Sequence, residues 1–223
     1  MERRRNLCFL FVVTIFVLAG CATNRGVLGL QVPAESMTNP TGKQVYIRSI
    51  ADNRQFQDNP PSADIPSLGF GGLDKLTPEL KSRAIARKRN TYGKALGDIV
   101  LEEGQTVQEV INKATRNALY SLGYVVIDKQ GEARPDAIIV DISIEKFWAW
   151  MTPGFWSLSL KSEMSTVNTI QVPKRDNPII IKAAAANSCQ VASEANWKKV
   201  FRMAIDDFIE KAKTELKHLD ANH

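Results

Sequence analysis

Apolar residues are spaced along this chain at three different periods. Val107, Val110, Ile111, Ala114, Ala118, Leu119 and Leu122 recur at the steps of a helix face. Thr106-Val107-Gln108-Glu109 ahead of them reads as a capping box, and Gly123 ends the run, so this segment is a predicted helix. Trp197, Val200, Phe201, Ala204, Ile205, Phe208, Ile209, Ala212 and Leu216 make a second, longer helical stripe near the C-terminus. Between the two the period drops to two. Ile138, Val140, Ile142, Ile144, Trp148 and Trp150 alternate with polar positions, and Trp156, Leu158, Leu160, Met164 and Ile170 do so again. Thr152-Pro153-Gly154 separates these runs as a turn, which predicts one long antiparallel hairpin. Its other face holds Asp141, Ser143, Glu145, Ser157, Ser159, Lys161 and Glu163, so one face meets a core and the other meets water.

Shorter strands are expected at "QVYIRSI", at "YVVID" and at "NPIIIKAAAANSC". The elements sum to an α+β domain, a mostly antiparallel sheet with two main helices packed on one face, over residues 44–219. An insert at about 53–96 interrupts it. Its first part, "ADNRQFQDNPPSADIPSLGFGG", is rich in proline and glycine and reads as a long loop, with the glycines of "LGFGG" serving turns. Its second part opens on Thr77-Pro78-Glu79, a helix start, and that helix is expected to carry Lys81, Arg83, Arg87, Lys88 and Arg89. Arg83, Arg87, Lys88 and Arg89 are therefore candidate anion contacts, for lipid phosphate or an acidic partner, against the plainer role of a solvated helix face.

The third period is a continuous apolar run. Arg3, Arg4 and Arg5 precede twelve residues, Leu7 to Leu18, broken only by Thr14, and small residues follow, the build of a cleaved secretory signal over residues 1–20. A permanent span needs about 20 apolar residues, which this run does not supply. Leu18-Ala19-Gly20-Cys21 resembles the lipobox of bacterial lipoproteins. That resemblance implies cleavage between Gly20 and Cys21, a diacylglycerol on the Cys21 thiol and an N-acyl chain such as palmitate on its amine, with no other cofactor. Ala22 at the next position implies the outer membrane, periplasmic face. Residues 21–43, with Gly26, Gly29, Pro33, Pro40 and Gly42, are expected to form the lipidated N-terminus and a tether of up to about 70 Å, a short strand at 28–32 being left open.

Removing Glu2 and the three arginines lowers the formal charge from +5 to +3, too mild for a nucleic-acid surface. Cys8 leaves with the signal and Cys21 takes lipid, so Cys189 has no disulfide partner and is expected to be a small buried residue. His218 and His223 are the only histidines, which removes most metal-ligand sets and histidine-based triads. The acidic pairs have no spacing that selects them for acid and base work, so no catalytic residue is assigned and an enzyme is not expected. Phe147, Trp148, Trp150, Phe155 and Trp156 crowd the hairpin tip. Trp148, Trp150, Phe155 and Trp156 are candidate contacts for a partner or for lipid, or else the end of the core face, because sequence fixes a ring's face but not the reach of the helices.

Ala51-Asp52-Asn53-Arg54 after the first strand and Gly123-Tyr124-Val125-Val126 after the helix, together with the lipobox, hairpin and final helix, resemble the YajG family of bacterial lipoproteins over most of the chain. The resemblance implies an envelope lipoprotein without established enzymatic activity. The expected function is that of a membrane-anchored accessory or binding subunit of an envelope assembly, with a protein partner. The alternative is a periplasmic carrier of lipid or glycan. An Asx bond and an ion pair in the Asp52 to Arg54 turn are expected to give it a structural role.

Overall fold

The computed structural model describes residues 25–34, 36–37, 39–69, 72–89, 95–171, 178–217 and 219. The expected signal segment and Cys21 lie outside the described residues, as do His218 and His223. Among the described residues eight strands run in the order β1 (Gly26–Leu28), β2 (Gln44–Asp52), β3 (Ala84–Arg89), β4 (Ala95–Leu101), β5 (Val125–Ile127), β6 (Ile138–Pro153), β7 (Leu158–Gln171) and β8 (Ile179–Cys189). Three α-helices among the described residues accompany them: α1 (Pro78–Arg83), α2 (Val107–Ser121) and α3 (Glu194–Leu216). The architecture is α+β. The sheet is mixed: the long β6–β7, β7–β8 and the short β3–β4 ladders are antiparallel, while β1–β4, β2–β5, β2–β6 and β3–β6 are parallel.

Local chemistry sets the helix ends. Thr106 accepts from the Glu109 N–H while Glu109 returns a bond to the Thr106 N–H, so the capping box forms as read. At the other end Gly123, at φ +84°, donates to Tyr120 O and Tyr124 donates to Leu119 O, a Schellman pair that needs a residue at ease with positive φ. Ser193 caps α3 through the Asn196 N–H. Both long helices cover one face of the sheet. The layer between is filled by Phe147, Trp197, Phe201, Phe208, Ile111 and Leu119, each at most 1% exposed, with Phe147 and Phe201 stacked at 5.7 Å.

β6 organises the sheet. β7 pairs with it along its whole length on one side. On the other side β2 pairs with its first half and β3 touches its second at Ala86 opposite Ala149, so the sheet forks there. Midway along β6 the register shifts: Ile144 faces Thr166 and Lys146 faces Ser165, which leaves Glu145 as the extra residue of a bulge. The bulge corrects one expectation. Trp148 and Trp150 do not continue the face of Ile138 to Ile144; Phe147, Ala149 and Met151 take the helix side instead, and the tryptophans turn away from it.

Two further expectations are revised. The helix begun at Thr77 ends at Arg83, because Ala84, Ile85 and Ala86 are fully buried as strand β3. Thr77 still caps it by accepting from the Leu80 N–H. The insert is thus loop, short helix and strand, and Arg87, Lys88 and Arg89 stand on a strand. The segment expected to be tether contains β1, paired with β4, and Leu28 and Leu30 are 2% and 6% exposed, because their side chains complete the core beside α3. At the far edge the long strand β8 is blunted at its middle, where Asp207 of α3 accepts from the Ala184 N–H at 2.9 Å.

Candidate functional site

The hairpin tip divides the four candidate rings. Gly154 donates to Ser157 O at 2.8 Å, and a Cβ on Gly154 would stand 2.7 Å from that same oxygen, so the turn requires glycine. Beyond it Phe155 and Trp156 are 89% and 83% exposed and meet edge to face with centroids 4.7 Å apart. Two large apolar rings stand in water at a hairpin tip that β8 flanks as far as Leu158 opposite Cys189, and they form an exposed contact surface.

Trp148 is not part of it. It is fully buried on the sheet face opposite the long helices, where the insert covers it: Phe56 meets its ring edge-on at 5.9 Å and Ala63 O accepts its indole N–H at 3.1 Å. Leu68, Ala84 and Val100 form a small second core beneath the same loop. Trp150 is half-buried, with the Lys146 ammonium 5.4 Å from its ring centroid. Lys146 lies 2.6 Å from Glu163 and 3.2 Å from Asp64. Burial pulls its pKa down, but the bonds and charges of Glu163 and Asp64 outweigh burial and hold it raised.

The candidate anion contacts also separate. Arg83 is used inside the fold, donating twice to Leu101 O at 3.0 and 2.9 Å and once to Glu79 at 3.2 Å. Arg87 stands opposite Asp98 in the β3–β4 ladder. Asp98 is fully buried, accepts from the Gly69 N–H at 2.8 Å and lies 3.8 Å from the Arg25 guanidinium. Arg89 donates to Ser67, and burial together with the Arg87 charge draws its pKa below the usual range. Lys88 points to the other side, where it lines a cavity of about 100 Å³ with Gly26, Glu194 and Trp197. A strand sends neighbours to opposite faces, so these cations share one end of the sheet but not one face.

The Asp52 to Arg54 turn is structural, as expected, and more deeply built than sequence suggested. Arg54 sits in the fork between β2 and β3, 1% exposed. Its guanidinium pairs with Asp52 through two bonds of 2.8 Å and donates to Ala84 O at 2.6 Å, Phe147 O at 3.1 Å and Lys81 O. Cys189 is half-buried at the end of β8, opposite Leu158, rather than fully buried. Sequence reasoning missed the Asp98 cluster. The available signal was an isolated acid inside the apolar run "LGDIV".

No family model matches the chain, and no curated protein matches it. Among solved structures, protein XCC0632 from Xanthomonas campestris is similar at a TM-score of 0.44 and 12% identity, over 87% of this chain and 98% of that one. A minor lipoprotein from Acinetobacter baumannii gives 0.35 and 15% identity over 51% of this chain and 87% of that one. The hypothetical protein CT253 from Chlamydia trachomatis gives 0.35 and 11% over 53% and 88%. Each likeness is too distant to bear on function.

Proposed function

We propose that this chain is a bacterial lipoprotein of the outer membrane, held at the periplasmic face through acyl chains on Cys21, whose α+β domain is a non-enzymatic accessory or binding subunit of an envelope assembly. The observation that carries the reading is Leu18-Ala19-Gly20-Cys21 behind three arginines and a twelve-residue apolar run. Two or more acyl chains hold a protein at a bilayer where one is marginal. Among the described residues no helix is long and apolar enough to cross a membrane. The exposed Phe155 and Trp156 at the hairpin tip support binding as the work of the domain. The carrier alternative has less support, since the layer between helices and sheet is filled by Phe147, Phe201 and Phe208.

The test is fractionation of cells producing the full chain and its Cys21→Ser variant. The variant is expected to leave the membranes for the soluble fraction, and retention at wild-type level would overturn the anchor. Detergent extraction of the wild type then separates the roles. A discrete copurifying protein supports the subunit, whereas bound acyl chains without a protein favour the carrier.

A further inference from the structure

Strand register places several otherwise separate features at one end of the molecule. β3 runs parallel to β6 with Ala86 opposite Ala149, so Arg89 is level with Thr152, next to the hairpin turn. β4 is antiparallel to β3 and β1 parallel to β4, so β1 begins at this end too, and the chain enters it through Arg25. β8 pairs Cys189 with Leu158 and therefore finishes beside the same turn, with Val191, 62% exposed, just beyond it and α3 starting from there. One end thus presents Phe155, Trp156 and Val191 to solvent, has Arg25, Lys88 and Arg89 beside them, and receives the N-terminal segment. The row from β1 to β8 is five strand spacings wide, about 24 Å. Nearby acids are occupied: Asp98 is buried against Gly69 and Arg25, and Glu194 pairs with Lys198 at 2.6 Å.

The N-terminal spacing selects the occupant of this end. Arg25 is four positions after Cys21, and four residues span at most about 14 Å. An anchored Cys21 leaves the start of β1 no farther than that from the lipid to which it is attached. We infer that this end faces the bilayer, with Phe155 and Trp156 entering the interfacial layer and Lys88 and Arg89 meeting lipid phosphates. Indole rings suit that layer because their apolar body and polar N–H match its gradient, and cations there gain from anionic headgroups. The inference rests on the Cys21 anchor proposed above, and it turns the tip from a general contact surface into a lipid contact.

The full-length lipidated protein is to be reconstituted in phosphatidylethanolamine and phosphatidylglycerol vesicles carrying bromine on the upper acyl chain, with tryptophan quenching measured and the Cys21 peptide weighed by mass spectrometry. Quenching is expected, mostly lost in Trp156→Phe and kept in Trp150→Phe. A Lys88→Gln, Arg89→Gln double variant is expected to be quenched less where phosphatidylglycerol is present, and unchanged quenching would overturn the phosphate contact. An acylated Cys21 with Trp156 unquenched overturns the orientation and leaves the anchor standing. So does a discrete protein adduct, in place of lipid, from a photoreactive residue at position 156. An unmodified Cys21 overturns the anchor, and this orientation with it.

Discussion

Arg54 lies where β2 ends and β3 begins, and its guanidinium takes the carbonyls of Ala84 and Phe147 in the fork and that of Lys81 in the last turn of α1. Arginine alone among side chains offers a planar fork of donors for a carboxylate and several carbonyls at once. Replacing it with methionine strands the 7%-exposed Asp52 carboxylate and those carbonyls, and the expected loss is about 3–5 kcal/mol in urea unfolding. A loss below about 1 kcal/mol would reduce the pair to the standing of a surface ion pair. Asp141 is the contrasting case on the open face. It accepts from Arg48 Nε at 3.0 Å and Ser49 Oγ at 2.6 Å, and the Arg48 bond first, then that from Ser49, hold its pKa below the ordinary carboxylate value against burial. A folded pKa lower than the unfolded one adds stability above the unfolded value, and that stability disappears as pH falls through the folded one. Asp141→Asn should therefore be less stable than wild type at neutral pH, with the gap closing below about pH 4. A gap independent of pH would show that the side chain acts through shape alone.

At the scale of elements, what sequence reveals depends on how much of the deciding interaction is local. The α2 and α3 stripes and their caps were legible because a helix closes its bonds within four residues, and the β6–β7 hairpin was legible because its turn lies between its strands. The parallel pairings of β2 with β6 and of β3 with β6 were not, since their partners lie some 60 to 95 residues apart and no turn residue announces them. Helix propensity in "PELKSRAIARKR" hid β3, where burial of Ala84, Ile85 and Ala86 in the sheet overrides it. The Glu145 bulge had the largest effect on the candidate site. One extra residue exchanged the faces of everything after it, sending Trp148 under the insert and Phe147 to α3. Deleting Glu145 makes Ile144 and Lys146 consecutive, so plain alternation should keep Phe147, Ala149 and Met151 on the helix side and Trp148 and Trp150 on the other, with the cooperative thermal transition and near-ultraviolet dichroism retained. Glu145→Gly keeps the residue count and should keep the fold. If the deletion instead abolishes the cooperative transition, Glu145 is not a spare residue and the faces after it are set by something other than the residue count.

The whole molecule has a direction that its separate parts lack. Its N-terminal entry, hairpin tip and exposed Val191 lie at one end, whereas the Schellman turn at Gly123 and the start of β6 lie toward the other, so an anchor at Cys21 presents one end to lipid and the rest to the periplasm. A short attachment does this work by geometry. With Cys21 acylated as proposed, four residues would hold the domain within about 14 Å of the membrane, which would make the local concentration of Phe155 and Trp156 at the interface high even if their own affinity is weak. Twenty Gly/Ser residues inserted after Cys21 would lengthen the reach to about 25 Å root mean square and let the domain tumble. Such a variant should sediment with membranes as wild type does, because the acyl chains are untouched, while the quenching of Trp156 by brominated lipid falls. Combining the insertion with Trp156→Phe should then add little, since both remove the same contact. If quenching instead survives the insertion in full, the aromatic and cationic end holds the bilayer by its own affinity, and the short attachment is not what orients the protein.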